Sequence, residues 1–207
     1  MPKYNVIFKG KQARMACFLV GEEENLENIY NLIGDDSLML IGIGGIDWNR
    51  DLSPWKAEKV FKKGDDFGGE AEKLLKYILN DVIPEIEDLP DRKIIAGYSL
   101  AGLFAVWSCF QTDEFTAVCS CSGSMWFDGF VDYVKTHKFL AKVGYFSLGD
   151  KEKNSKNPRM SSVEQTSKDI TSILSINHDI IFRLVPGNHF MEPEKRLSDG
   201  ISYLINH

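Results

Sequence analysis

The segment KIIAGYSLAG, residues 93–102, constrains the fold of this chain more than any other feature of its sequence. Its first five residues have the apolar, β-branched character of a buried strand, and the residues after the serine have the periodicity of a helix. Ser99 lies at the bend, with Gly97 two positions before it and Ala101 two positions after it. A nucleophile elbow needs small residues at both positions because the backbone is crowded there. We therefore predict that Ser99 is a nucleophile at a strand-to-helix turn.

The same turn directs the first amides of the following helix toward the serine. The N–H of Leu100 can donate to the oxyanion of a tetrahedral intermediate, and the helix dipole favours negative charge at that point. The alternative role for Ser99 is a helix N-cap, a position at which serine is common.

Seven short apolar runs predict strands, and six further segments have helical periodicity. The predicted strands are YNVIF, RMACFLV, SLMLIGI, KIIAG, TAVCSCS, VGYFSL and DIIFRLV. From residue 37 onward the two kinds of segment alternate, which predicts an α/β fold with a mainly parallel sheet and helices on both faces. Only KGKQA separates the first two runs, so we expect them to form an antiparallel hairpin at one edge.

Composition limits the domain count and the class of partner. The chain has 207 residues and no linker rich in Pro, Gly or Ser, so we expect one domain over residues 1–207. It has 30 acidic and 24 basic residues, a net charge of −6, and no dense run of cations, which argues against nucleic acid binding. The oligomeric state is left open.

The sequence offers no targeting or metal-binding signal. Its N-terminus lacks the apolar stretch of a signal peptide, and no segment approaches the length of a membrane span, so we expect a cytoplasmic protein without a membrane partner. The four cysteines lie within apolar runs and lack the spacing of a zinc site, which predicts buried, reduced thiols. We expect neither a metal nor an organic cofactor.

Two later turns supply candidate partners for Ser99. His189 follows the last predicted strand in FRLVPGNHF, and an acidic pair follows the strand before it in VGYFSLGDKEK. An imidazole can take the proton of the serine hydroxyl, and a carboxylate can orient that imidazole. Serine, acid and histidine in this order are typical of α/β-hydrolases. We prefer Glu152 as the acid because it lies three residues past the glycine that ends the strand, and Asp150 stays the alternative.

Four separated segments resemble the esterase D-like family of α/β-hydrolases, which includes siderophore esterases. They are GGEAEKLLKYILNDVIPEIEDL, RKIIAGYSLAGLFAVWSCFQTDEFTAVCSCSGSMW, FSLGDKEK and GNHF. The acid loop is most similar to that of the cytoplasmic siderophore esterases, which also ends in a glutamate. The resemblance implies an α/β-hydrolase fold, with Ser99, His189 and Glu152 as nucleophile, base and acid.

The resemblance also implies further site residues. NRDLSPW resembles a segment whose arginine faces the site, so Arg50 is a candidate for binding an anionic or phenolic group, with a solvated surface arginine as the alternative. Many members have a His-Gly or Asp-Gly pair where this chain has Val20-Gly21, and we expect the second oxyanion donor to be the backbone N–H of Glu22.

A short connection suggests an open cleft with aromatic walls. The stretch between Ser122 and Val143 has room for one helix, so we expect a minimal fold without a large cap domain. The long segment 44–69 has no clear periodicity, and loops of that length are often functional. We expect Trp48, Tyr98 and Trp126 to contact the substrate, with core packing as the alternative for each tryptophan.

These observations predict a serine hydrolase that cleaves a small acyl, aryl or siderophore-type carboxylic ester through an acyl-enzyme. Two alternatives stay open: an acyltransferase on the same three residues, and a degenerate hydrolase fold that binds a ligand without catalysis. The small-molecule ester itself is not predicted.

Overall fold

The structure is a computed structural model that describes residues 2–21, 25–60 and 62–207. Its centre is a seven-stranded sheet with strand order β1-β3-β2-β6-β7-β8-β9. Its strands are β1 Lys3–Ile7, β2 Met15–Val20, β3 Leu38–Gly44, β6 Lys93–Tyr98, β7 Ala117–Cys121, β8 Val143–Gly149 and β9 Asp179–Val185. A separate two-stranded ribbon consists of β4 Lys56–Ala57 and β5 Phe67–Gly68. Strands β2, β3 and β6 to β9 run parallel, and β1 is antiparallel to β3.

The helices cover both faces of this sheet. They are α1 Leu26–Ile33, α2 Trp48–Asp51, α3 Ala71–Tyr77, α4 Ile83–Glu85, α5 Leu100–Ser108, α6 Phe130–Thr136, α7 Pro158–Ser161, α8 Val163–Leu174 and α9 Pro193–Ile205. Buried side chains of α1 and α9 pack on one face, and those of α3, α5, α6 and α8 pack on the other. Successive residues of β2 alternate between the two clusters because strand side chains alternate in direction, so both faces of the strand are apolar.

The predicted hairpin between the first two runs is wrong. Strand β1 pairs with β3, from Lys3 opposite Gly44 to Ile7 opposite Leu40, and β2 lies on the other side of β3 in parallel. Strand β3 is buried at every position, so a neighbour on each side satisfies its backbone groups. Of the two strands predicted to be antiparallel at this edge, only β1 is antiparallel to its neighbour.

One predicted helix is interrupted. The segment after Gly69 continues from α3 through a π-helical stretch, Ile78–Val82, into α4. The Ile83 N–H donates to the carbonyl of Ile78, one residue farther than in an α-helix. Pro84 follows directly and has no N–H to donate, which accounts for the irregular end of this helix.

No helix within the described ranges is long and apolar enough to span a bilayer.

The carboxyl ends of the parallel strands β6, β7, β8 and β9 lie along one edge of the sheet, and the loops after them form the candidate site.

Candidate active site

Ser99 lies between β6 and α5 in a backbone conformation that side-chain-bearing residues rarely adopt, with φ 57° and ψ −121°. Such strain persists only where the surrounding structure holds it. Gly97 shows why the turn needs small residues: a Cβ atom there would lie 2.4 Å from the backbone carbon and oxygen of Ala101. The Ser99 carbonyl accepts from the N–H of Ser124, which ties the turn to the loop after β7.

The structure brings Ser99, His189 and Glu152 together. His189 Nε2 lies 3.0 Å from Ser99 Oγ, and His189 Nδ1 lies 2.7 Å from Glu152 Oε2. With the proton on Nδ1, His189 donates to the carboxylate and leaves Nε2 as the acceptor for the serine hydroxyl. The three residues belong to loops after β6, β8 and β9, so the carboxyl edge of the sheet provides the geometry that general-base activation of a serine requires.

Glu152 is buried, and its two oxygens accept from different groups. Oε2 faces His189, while Oε1 accepts from the Ser122 hydroxyl at 2.7 Å and from the Gly149 N–H at 2.8 Å. Burial opposes ionisation, but the hydrogen bonds from His189 and Ser122 outweigh it and hold the pKa of Glu152 below its ordinary value. The carboxylate is therefore ionised at neutral pH.

Asp150, the alternative acid, is turned away from His189. It is exposed, and its Oδ1 accepts from the Gly187 N–H at 2.9 Å. That bond joins the loop after β8 to the loop after β9. The geometry therefore gives Asp150 a role in the loop and leaves Glu152 as the carboxylate next to the imidazole.

Arg196 is a buried part of the site that is not among the residues predicted from the sequence. Its Nη1 lies 3.3 Å from Glu152 Oε1 and 2.9 Å from Ser122 Oγ, and its Nη2 donates to the carbonyls of Pro186 and Asn188. One guanidinium thus connects the acid loop to the histidine loop. A usable signal existed: Arg196 shares the buried stripe of α9 with Leu197 and Ile201, where an unpaired charge would be costly.

Tyr98 has a different place from the one predicted. Its side chain is buried and is not part of the cleft wall, and its hydroxyl donates to the His189 carbonyl at 2.8 Å. Arg196 Nη1 in turn donates to the Tyr98 hydroxyl at 3.1 Å. The position next to Ser99 suggested substrate contact, but alternation along β6 turns this ring toward α9 and the histidine loop. The geometry supports a positioning role.

Leu100 opens α5, and its N–H precedes the first intrahelical hydrogen bonds, so it is available to an oxyanion beside Ser99. Glu22, the predicted second donor, lies outside the described residues. Gly21, just before it, has φ 89°, and a Cβ atom there would lie 2.8 Å from the Trp48 ring. The indole of Trp48 therefore packs against Gly21.

A cleft of about 240 Å³ opens above Ser99 and Leu100. Trp48 and Trp126 line it, as predicted, together with Phe67, Met160 and Phe190. Much of one wall comes from the segment 48–67, which lies within the long segment 44–69. The Arg159 guanidinium lies 5.7 Å from the centroid of the Trp126 ring, at the distance of a cation–π contact.

Arg50 is not among the residues that line the cleft. Its Nε lies 2.8 Å from Asp51 Oδ1 and 3.6 Å from Glu70 Oε2, and Asp47 is 3.7 Å from Nη1. With half of its side chain exposed and three carboxylates around it, Arg50 matches the alternative of a surface arginine. The prediction that it binds a substrate anion is not supported by this geometry.

Within the described residues there is no group of three or more His, Cys, Asp or Glu side chains that could hold a metal ion.

Comparison with solved structures identifies the fold. An IroE-like serine hydrolase from Shewanella oneidensis has a TM-score of 0.82 at 17% identity, over 99% of this chain and 76% of that chain. This chain has the α/β-hydrolase fold. The siderophore hydrolase EstA from Aspergillus nidulans has a TM-score of 0.76 at 18% identity, over 99% of this chain and 90% of that one. The enterobactin esterase FES from Shigella flexneri has a TM-score of 0.74 at 17% identity, over 99% of this chain and 55% of that one.

Sequence comparisons reach less far. No protein-family model matches the chain. An uncharacterised protein of Bacillus subtilis (strain 168), YbbA, is 29% identical over an alignment of 140 residues, and the match covers 62% of this chain and 55% of that relative. The match thus spans about half of the relative's length. The solved structures confirm the α/β-hydrolase fold that the sequence resemblance implied.

Proposed function

We propose that this α/β-hydrolase-fold protein is a serine esterase that cleaves a carboxylic ester of a small molecule through an acyl-enzyme. The observation that carries the proposal is the continuous chain of contacts from Ser99 Oγ through the His189 ring to Glu152. An IroE-like serine hydrolase and a siderophore hydrolase with this fold support it.

The proposed reaction begins at Ser99. As its Oγ attacks the carbonyl carbon of the ester, the hydroxyl proton moves to His189 Nε2, and the Leu100 N–H donates to the oxygen that becomes negative. Ionised Glu152 stabilises the imidazolium. The bond from the acyl carbon to the alcohol oxygen then breaks, and the alcohol takes the proton from His189. Water repeats the sequence, releases the acid and restores Ser99.

The chemistry of the cleft supports a substrate with an apolar or aromatic acyl group. Trp48, Phe67 and Trp126 offer apolar surface. The charged residues of the same lining are Lys59, Lys63 and Asp65. Two proteins with this fold are a siderophore hydrolase and an enterobactin esterase. A siderophore-type ester is one member of the class that we propose here.

A direct test compares the wild type with Ser99→Ala on a series of p-nitrophenyl esters, with labelling by a fluorophosphonate in parallel. We expect Ser99→Ala to lose at least about 10⁴-fold in kcat and to lose the label. Ser175→Ala is a matched control, since its hydroxyl donates to the Thr171 carbonyl at the end of α8, and it should keep both. A folded wild type with neither activity nor label would contradict the proposal and favour a binding protein.

A further inference from the structure

A second cavity of about 280 Å³ adjoins the cleft on the far side of His189. The two share four lining residues: Trp126, Met160, His189 and Phe190. Ser99 and Leu100 line only the first cavity, whereas Glu152 lines only the second. Phe190, 86% exposed, contributes to the lining of both. The site is therefore one groove in two parts, with the catalytic imidazole at the junction.

The chemistry proposed above assigns the two halves of an ester to these two parts. The acyl carbon must lie over Ser99 Oγ, with its oxygen at the Leu100 N–H, so the acyl group extends along the cavity that these residues line. The alcohol oxygen must face His189 Nε2 to receive its proton. The alcohol portion then extends into the second cavity, on the histidine side.

The charges of the second cavity indicate which alcohol it takes. Glu152 and Lys151 are the charged side chains in its lining apart from the histidine itself. Both Glu152 oxygens are already occupied by His189, Ser122 and the Gly149 N–H. Lys151 is exposed, and no carboxylate within the described part of the chain pairs with its ammonium, whereas Lys153 pairs with Glu164 at 3.0 Å.

Two neutral amides also line this cavity. Asn188 accepts the Phe190 N–H on its Oδ1, which leaves its amide nitrogen as a donor, and Asn154 lies on the acid loop beside Lys151. The Lys151 ammonium and the Asn188 amide nitrogen are therefore two donors that the lining of this cavity offers.

We infer that the second cavity is the subsite for the alcohol half of the ester, and that Lys151 selects an alcohol bearing a carboxylate. This inference rests on the proposed function, because it takes the direction of proton transfer from it. Lys151 is a specificity-determining residue here and takes no part in the proton transfers.

The test uses two pairs of esters with the wild type, Lys151→Gln and Lys151→Glu. One pair has the same acyl group and differs in the alcohol: the butyrate esters of meta-hydroxybenzoate, an anion, and of meta-hydroxybenzamide, which is neutral. The other pair carries its charge on the acyl side: mono-p-nitrophenyl adipate and p-nitrophenyl hexanoate. Lys156→Gln is the matched control, because Lys156 is exposed on the same loop and lines neither cavity.

We expect Lys151→Gln to lower kcat/KM for the benzoate ester relative to the benzamide ester by roughly threefold to fivefold, and Lys151→Glu to lower it further. Higher salt should shrink the wild-type preference. The adipate to hexanoate ratio and Lys156→Gln should stay at wild-type values.

An unchanged benzoate to benzamide ratio in an active Lys151→Gln protein would overturn the inference and leave the esterase proposal intact. So would an equal shift in the adipate pair, which would show a diffuse charge effect without a defined subsite. Wild-type protein that hydrolyses none of the four esters and takes no fluorophosphonate label would overturn the proposed function and the subsite together.

Discussion

Arg196 Nη1 lies 3.3 Å from Glu152 Oε1, the carboxylate oxygen that His189 does not use. The same guanidinium donates to the carbonyls of Pro186 and Asn188, which belong to the loop that contains His189. The arginine therefore holds the acid and the histidine loop at once. Both side chains are largely buried, at 6% and 4% exposure, so each charge depends on the other for compensation.

Replacing Arg196 by methionine should lower both activity and stability. The change leaves two loop carbonyls and one carboxylate oxygen with fewer donors, and we expect a loss of about 3 kcal/mol in the free energy of unfolding. Urea unfolding and kcat measured on the same preparation check this.

Arg196→Lys distinguishes positioning from general stabilisation. A lysine keeps the charge but cannot reach both carbonyls and the carboxylate with one planar fork. We expect it to restore part of the stability while kcat stays low and KM stays near the wild-type value. Recovery of full kcat with the lysine would contradict the positioning role.

Glu152→Gln and Asp150→Asn should have very different effects on activity. Glutamine in place of Glu152 cannot stabilise the imidazolium, and kcat/KM should fall by about 10³-fold. Asp150→Asn keeps an oxygen that can accept from the Gly187 N–H, so kcat/KM should stay within about threefold of the wild type. Hydrolysis of one p-nitrophenyl ester by the two purified variants is sufficient, and the reverse pattern would make Asp150 the acid.

Ser122→Ala should change how stability depends on pH. Because folding lowers the pKa of Glu152, the ionised carboxylate stabilises the fold above the unfolded pKa, and this contribution is lost as pH falls through the folded pKa. Removing the Ser122 hydroxyl weakens that contribution. We expect the variant to be about 1 to 2 kcal/mol less stable at neutral pH and the difference to narrow in acid.

Ser120→Ala is the control for this measurement. Ser120 lies two residues before Ser122, and its hydroxyl donates to the Gly102 carbonyl and not to Glu152. The free energy of unfolding is measured in urea at about pH 7 and about pH 4. Ser120→Ala should differ from the wild type by the same amount at both pH values. A Ser122→Ala deficit that does not change with pH would show that the hydroxyl acts without coupling to Glu152.

Trp48→Ala and Trp55→Ala should separate substrate contact from packing. Trp48 lines the cleft and is 41% exposed, so its loss should raise KM for aryl esters by roughly threefold to tenfold with a small effect on stability. Trp55 packs against Phe127 and Tyr133 and donates its Nε1 proton to the Asp128 carbonyl. Its loss should cost about 3 kcal/mol in the free energy of unfolding. A KM for aryl esters that stays at the wild-type value in Trp48→Ala would exclude Trp48 from the substrate site.

Local pattern was sufficient for most of the elements and for the elbow. Strand β9 was predicted at its exact bounds, and the small residues around Ser99 are required by the backbone itself, since a Cβ atom at Gly97 would overlap Ala101. Such features depend on residues that are neighbours along the chain. The sequence alone therefore determined the mainly parallel sheet and the strained turn at Ser99. It also determined the two later loops that contain His189 and the carboxylates Asp150 and Glu152.

Tertiary structure decided what depends on contacts between distant segments. The placement of β1 beside β3 follows from burial of β3 on both sides, which a short linker between β1 and β2 does not reveal. The choice between Glu152 and Asp150, the burial of Arg196 and the turn of Tyr98 away from the cleft all depend on how loops from different strands meet. Arg196 and Tyr98 are hydrogen-bond partners that lie 98 positions apart along the chain, so the packing of the sheet and α9 sets their contact and no local pattern encodes it.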